Sequence, residues 1–195
     1  MTTGDDKRAL RNEIKLALAR LGPAEVAARS VVASGYLVDR WRSPGAAMGY
    51  LALPLEADPM AAMAAWGARG ARVCVPRADW VSRSMEPAVL GGRLITGPHG
   101  VRSVSSEQPA VGIDTLEVVV VPGLGFTACG ARLGRGGGFY DRFLARLGPG
   151  TVAVGLAVSA QMCDDVPTEP TDRRVDWVVT EDGAVDCRPD GRGSA

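Results

Sequence analysis

Apolar residues along this chain follow two rhythms. From Asp5 to Leu21 they recur every three or four positions, at Leu10, Ile14, Leu18 and Leu21. That spacing puts them on one helical face, with Asp5 and Asp6 as capping candidates. Leu21-Gly22-Pro23 ends this helix, and Pro23 is suited to open a second one that runs toward Trp41. Elsewhere the apolar residues come as short runs. The run AAMGYLALPL predicts a buried strand, DPMAAMAAWGARG a helix closed by glycine, and ARVCVP a strand ended by Pro76. Short apolar pieces at Met85 to Leu90 and Leu94 to Ile95 interrupt a polar stretch. The Pro, Ser and Gly residues from Gly97 to Pro109 predict a long surface loop.

The clearest strand is TLEVVVVPG, from Thr115 to Gly123, a β-branched run of the kind buried on both faces. A glycine-rich segment follows, then a helix from about Phe139 to Leu147. TVAVGLAV and VDWVVTE predict two more strands. Strands alternating with helices predict a single α/β domain over residues 1–181, with a mixed or parallel sheet flanked by helices. Residues 182–195, ending RPDGRGSA, read as a flexible tail.

Composition narrows the function. The 195 residues suffice for one domain with a real core. Lys and Arg (22) balance Asp and Glu (22), so no global basic field draws the chain to nucleic acid or to an anionic membrane. Any anion must be held by a local cluster. No apolar run approaches the ~18 residues of a spanning helix, and the N-terminal MTTGDDKRALRNEIK lacks the apolar core of a signal peptide. A cytoplasmic protein is expected. Cys74, Cys129, Cys163 and Cys187 form no CxxC pair and are expected to be reduced, mostly buried thiols. His99 is the only histidine and lies in the loop sequence TGPHGV, without a GxSxG elbow.

One stretch concentrates bare backbone and positive charge: ARLGRGGGFYDRFLAR, from Ala131 to Arg146. Glycines let backbone N–H groups approach a phosphate without an intervening Cβ, and a following helix N-terminus adds partial positive charge. Arg132 and Arg135 offer guanidinium donors to phosphate oxygens. Asp141 could accept Mg²⁺ or cap the turn. The stretch lacks the Gly-Lys-Ser/Thr ending of a Walker loop, and Phe139 occupies the third glycine position of a Rossmann fingerprint. A purely structural glycine turn and a polyphosphate cradle both fit the residues alone.

The longer segment VPGLGFTACGARLGRGGGFYDRFL, Val121 to Leu144, resembles the signature of the 5-formyltetrahydrofolate cyclo-ligases. KRALR at Lys7 to Arg11 is similar to the family's N-terminal Lys-x-x-Leu-Arg. YLALPLEADP resembles its Tyr-to-Glu segment, and VPTEPTDRRVDWVVTE its closing block. The resemblance implies the fold of the sugar-phosphate isomerase and CoA-transferase-like group. It also implies ATP- and Mg²⁺-dependent cyclisation of 5-formyltetrahydrofolate to 5,10-methenyltetrahydrofolate by a monomer whose partners are ATP and a reduced folate. It assigns ATP to Lys7, Arg8 and Arg11 and to the loop Arg132, Leu133, Gly134, Arg135, Gly136, Gly137, Gly138, Phe139 and Tyr140. Folate falls to Leu51, Glu56 and Arg135 to Phe139, Mg²⁺ to Asp141 and Asp172, and the chemistry to Arg135, Phe139 and Tyr140.

Departures from the pattern stand out. Thr127 replaces the family's Asp, Phe139 its first Tyr, and Thr171 the His before its final Asp. Pro87 stands where an aromatic residue normally follows Met85, and only Gly100 and Val101 match a Gly-aliphatic-x-Glu-Pro segment. The ATP loop is therefore better kept than the folate side, where these departures are expected to fall. They leave open a divergent paralogue, either a ligase for another substrate or a non-catalytic nucleotide- or folate-binding protein.

Overall fold

The computed structural model describes residues 3–189. The first helix, α1 (Thr3–Arg40), is two helical segments joined at Gly22, whose φ of 79° and ψ of 161° interrupt the helix. Gly22 takes this left-handed φ readily because it has no Cβ, and Pro23 fits the first turn beyond it, where its missing N–H is not needed. The predicted break and the end before Trp41 are both present. Ile14 and Leu18 from the first segment, and Val26, Ala33 and Leu37 from the second, are buried.

The chain continues through β1 (Ala46–Met48), α2 (Met60–Ala68), β2 (Arg72–Asp79) and β3 (Ser84–Val89). A small hairpin of β4 (Leu94–Thr96) and β5 (Arg102–Val104) follows, then β6 (Val118–Val121) and a second hairpin of β7 (Gly125–Phe126) and β8 (Arg132–Leu133). After the glycine loop come α3 (Phe139–Leu144), β9 (Val152–Leu156), β10 (Trp177–Thr180) and β11 (Gly183–Asp186). The seven-stranded sheet has the order β11-β10-β9-β6-β1-β2-β3. Strands β10 through β2 in that order are mutually parallel, and β3 and β11 close the edges antiparallel.

The β-branched run sits at the centre because both of its faces are covered. Alternation sends Val118 and Val120 toward Leu37, Trp66 and Leu156, and Val119 and Val121 toward Met48, Phe126 and Phe143. All four valines are 0–1% exposed. This is the expected α/β architecture, and its central strand lies where the sequence placed it.

Several boundaries differ, each for a physical reason. Pro76 does not end β2; it faces Pro87 across the β2–β3 pair. Pro76 O accepts from Ser103 Oγ at 2.8 Å and Pro87 O from Val111 N at 2.9 Å, so both residues turn their backbone polar edges away from each other. Neither missing N–H is then needed in the ladder. The expected loop from Gly97 to Pro109 contains β5, anchored by the fully buried Val104. Only Ala46–Met48 of AAMGYLALPL is a strand, β6 begins at Val118 after a 3₁₀ turn, and α3 stops at Leu144.

Part of the expected tail, too, is structured. Residues Gly183–Asp186 pair with β10, and Arg188 beyond them lies over the Trp177 ring at 5.3 Å. Residues 190–195 lie outside the described residues. Of the four thiols only Cys74 is buried; Cys129 is exposed, correcting the expectation of mostly buried cysteines. His99 is exposed in its loop, as expected. Among the described residues, no helix is long and apolar enough to cross a membrane.

Candidate functional site

The site begins where β6 leaves the sheet. The β7–β8 hairpin folds back at once, with Leu124 N bonded to Leu133 O at 2.8 Å and Thr127 N to Ala131 O at 3.0 Å. Its register opposite Phe126 carries Arg132 inward, leaving the side chain 4% exposed. Arg132 Nη2 reaches Asp141 Oδ1 at 2.7 Å, Nη1 donates to Pro122 O at 3.2 Å, and the guanidinium lies 5.7 Å from the centre of the Tyr140 ring. A buried arginine in such a place is held by its charge partner; it is not a free surface cation.

Beyond Leu133 the chain runs through Gly134–Gly138. Gly136 takes φ 102° and Gly138 φ 68°, values that favour glycine and let the loop double back into α3. Arg11 crosses from α1 to donate from Nε to Gly134 O at 2.9 Å. With only six residues, α3 adds a smaller dipole than the sequence reading assumed.

On the facing wall, Lys7 is buried and its Nζ lies 2.7 Å from Asp172 Oδ2 and 3.5 Å from Glu169 Oε2. Burial pushes the Asp172 carboxyl up, but the Lys7 ammonium and the Glu169 N–H outweigh it and hold it below its ordinary range. Lys7, Arg11, Arg132, Asp141 and Asp172 thus surround one cavity of about 600 Å³, together with Leu133, Gly134, Gly136 and Gly138. Each carboxylate has one oxygen engaged: Asp141 Oδ1 by Arg132 and Arg173 N, Asp172 Oδ2 by Lys7 and Glu169 N. The other oxygen of each has no partner among the described residues.

A second cavity of about 410 Å³ lies between Pro23, Val26 and Ala27 of α1 and the segment Ala52–Glu56, with Gly100 and Arg102 at its rim. The two regions are tied together by Arg135, whose Nε donates to Glu56 Oε1 at 2.6 Å. Glu56 Oε2 accepts from Leu53 N at 2.8 Å, so both of its oxygens are engaged. Nearby, the Tyr140 hydroxyl is buried without a hydrogen-bond partner among the described residues. Burial first, and the Glu56 charge second, push its pKa well up despite Arg132, so it stays a protonated donor.

The sequence model of the 5-formyltetrahydrofolate cyclo-ligase family matches residues 3–181. The chain belongs to this family. It is 27% identical to the mouse 5-formyltetrahydrofolate cyclo-ligase over 93% of this chain and 97% of the relative. It is 33% identical to the mitochondrial enzyme of Arabidopsis thaliana over 54% of this chain, a stretch spanning 42% of that relative. Among solved structures, the Aquifex aeolicus 5,10-methenyltetrahydrofolate synthetase aligns with TM-score 0.78 and 25% identity over 97% of this chain and 96% of that one. The Mycoplasma pneumoniae synthetase aligns with TM-score 0.73 at 20% identity over 90% of this chain and 99% of that one, a likeness of fold.

Not every residue that the family resemblance singled out lies in the cavity. Arg8 is 75% exposed and pairs with Asp5 at 3.0 Å. Gly137 and Phe139 do not line the cavity; Phe139 packs on the core and edge-on against Trp80 at 4.9 Å. Leu51, which the resemblance gives to folate, is buried against Met63, Val75 and Val104 and lines neither cavity. The departures are not gathered on the folate side either. Thr171 lines the charged cavity, and Thr127 is buried in the β7–β8 turn, where its Oγ1 accepts from Ala131 N at 3.1 Å.

Sequence reasoning overlooked Arg142 and Arg173, which line the same cavity. Arg142 ties Gly137 O at 2.9 Å to Arg83 O at 2.8 Å, fixing the loop against the β2–β3 turn. Both arginines directly follow a candidate metal carboxylate, in the dipeptides Asp141-Arg142 and Asp172-Arg173. That repetition was the available signal. The donor set also fits Mg²⁺: two hard carboxylates, each with an uncommitted oxygen, suit an ion that takes few protein ligands and completes its shell with phosphate and water.

Proposed function

We propose that this chain couples ATP hydrolysis to the cyclisation of 5-formyltetrahydrofolate, giving 5,10-methenyltetrahydrofolate, ADP and phosphate. The carrying observation is the pairing of Asp141 with Arg132 and Asp172 with Lys7 around a glycine loop, each carboxylate keeping one oxygen uncommitted. Mg²⁺ held by Asp141 and Asp172 would neutralise phosphate charge. The chain itself supplies the rest: Lys7, Arg11 and Arg132 present fixed cations, and Gly134–Gly138 present backbone N–H groups to phosphate oxygens.

Phosphoryl transfer to the formyl oxygen mainly needs in-line positioning and charge stabilisation, so it requires no side-chain nucleophile. N10 then attacks the activated carbon, and phosphate leaves with the former formyl oxygen. Arg135 and Glu56 join the nucleotide cavity to the groove beside α1 and would orient the folate there. The buried Tyr140 O–H offers a hydrogen bond to whatever oxygen enters beside Arg132. The enzyme is proposed to act as a cytoplasmic monomer.

A second reading, a ligase for another substrate, draws on Glu56, whose oxygens are both engaged by Arg135 and Leu53 N. The deciding experiment incubates the purified chain with ATP, Mg²⁺ and 5-formyltetrahydrofolate. It follows the near-ultraviolet absorbance of the methenyl product alongside phosphate release. Equal rates support the cyclo-ligase. Phosphate release that ignores the folate supports the second reading, and absence of both overturns the enzymatic proposal.

A further inference from the structure

Two of the four thiols converge at a place the proposed chemistry does not use. Cys129 lies exposed in the turn between β7 and β8, and Cys187 directly follows β11. Gly130 brings them together. A methyl group built on Gly130 would meet Val175 O and lie 3.0 Å from Cys187 Cβ, so Cys187 packs directly against the residue next to Cys129. The backbone fixes this approach from both sides: Val175 N donates to Gly130 O at 3.0 Å and Cys187 N to Asp176 O at 2.9 Å.

The surroundings of the two sulfurs differ. Thr127 Oγ1 is 3.1 Å from Cys129 Sγ, and Arg174 Nη1 donates to Cys129 O at 2.8 Å, bringing a guanidinium beside the exposed thiol. Cys187 is half-buried and its Sγ turns to Val185 O at 3.6 Å. We propose that Cys129 and Cys187 form a redox-sensitive thiol pair, in which Cys129 reacts with a peroxide and Cys187 resolves the product as a disulfide.

Charge and exposure fit these roles. The Thr127 hydroxyl first, and Arg174 second, hold the Cys129 thiol below its ordinary range, which raises its thiolate fraction. Burial pushes Cys187 up to about 11, keeping it a protonated thiol until a sulfenic acid forms beside it. The chemistry balances. Cys129 thiolate attacks one peroxide oxygen, the O–O bond breaks, and hydroxide leaves as the sulfenic acid forms. Cys187 sulfur then attacks the Cys129 sulfur, the S–O bond breaks, and the departing hydroxide takes the Cys187 proton as water. Peroxide gains two electrons and the two thiols lose them.

The pair stands where oxidation would reach the cavity. The Cys129 turn joins the strands that position Arg132, and Gly130 O holds the segment that carries Asp172 and Arg173. The assignment rests on the thiols alone and stands or falls independently of the substrate.

The test treats the reduced full chain with hydrogen peroxide, blocks remaining thiols with N-ethylmaleimide, and maps peptides by mass. The expected product links the Cys129 and Cys187 peptides, disappears on reduction with dithiothreitol, and leaves the buried Cys74 thiol unlinked. Cys187→Ser should instead accumulate a dimedone-reactive Cys129. Before oxidation, Cys129 should be alkylated at least about fivefold faster than Cys163 at neutral pH, and the exposed variant Arg174→Gln should slow it. Alkylation of Cys129 no faster than Cys163 overturns the reactive-thiol role. Over-oxidised Cys129 without the linked peptide in the unaltered chain overturns the resolving role of Cys187.

Discussion

The two cavities linked by the Arg135–Glu56 ion pair are built on opposite plans. The one beside the glycine loop is charged, and its anions are already paired: Arg132 with Asp141 and Lys7 with Asp172, both at 2.7 Å. The groove beside α1 is lined largely by Pro23, Val26, Ala27, Pro54 and Leu55, with Glu56 as its inner charge. In the first, the side chains proposed to bind phosphate and metal are also the ones that stabilise each other. In the second the walls are mostly apolar, with Val26 and Leu55 packing in the core, and the Arg135–Glu56 ion pair stands apart from them. Changes at the charged cavity should therefore disturb folding and function together, and changes at the seam should disturb function almost alone.

The largest effect is expected for Arg132→Ala. Its side chain is 4% exposed, and its loss would leave the Asp141 carboxylate facing the cavity without its cation. Breaking such a buried pair costs about 3–5 kcal/mol. Urea unfolding should show a loss of this order. An unchanged midpoint would show that charged cavity and fold are independent after all.

Gly136→Val comes next. A Cβ there has room, since among the described residues only Arg11 Nη2 lies within reach, at 3.9 Å. The penalty is backbone strain at φ 102°, about 1–3 kcal/mol for a side chain forced into that region. Because the loop is exposed, the loss should appear as weaker ATP–Mg²⁺ binding in calorimetric titration, roughly 5- to 150-fold, with a smaller fall in stability. Normal affinity would remove the loop from the nucleotide site.

What the sequence made legible follows the same division. The charge and the glycines are concentrated in one run, Arg132 to Asp141, so the sequence alone could offer it as a candidate phosphate cradle. The parallel sheet was equally open, because Val118–Val121 must be buried on both faces. The groove was harder, since Pro23, Glu56 and Arg102 are brought together only by tertiary folding. Leu51 shows the limit: the resemblance gives it to folate, although an apolar side chain there reads more readily as core, and its neighbours are Met63 and Val104. Pro76 shows another, because its tolerance depends on which backbone edge faces the partner strand.

Acid should weaken the charged cavity in a defined window. The Asp172 carboxyl is held below its ordinary range in the folded chain, so its contribution is fully present above the unfolded value of about 3.9. That contribution is lost as pH falls through the lowered folded value. Unfolding measured between about pH 5 and pH 2 should therefore steepen in the unaltered chain relative to Asp172→Asn, which has no such proton to take up. The same variant should lose Mg²⁺-dependent turnover. Parallel pH profiles would show that the Lys7–Asp172 pair carries no stability.

The smallest effect on folding is expected at Arg135. Its side chain is 41% exposed, its partner Glu56 is 7% exposed, and the pair spans the two cavities at 2.6 Å. An ion pair with one end this exposed contributes about 0.2–1 kcal/mol, because water screens the charge and the long side chain must be ordered. A double-mutant cycle of Arg135→Ala and Glu56→Gln should return a coupling within that range. Function should respond differently, since Arg135 lies between two loop glycines and also reaches the groove. Arg135→Ala should raise KM for the folate severalfold while leaving ATP–Mg²⁺ affinity nearly intact. The comparison variant is Thr171→His, which adds a ring to the charged cavity and should shift nucleotide affinity instead. If Arg135→Ala weakens ATP as strongly as Arg132→Ala does, Arg135 belongs to the charged cavity, and the seam between the two regions must be placed elsewhere.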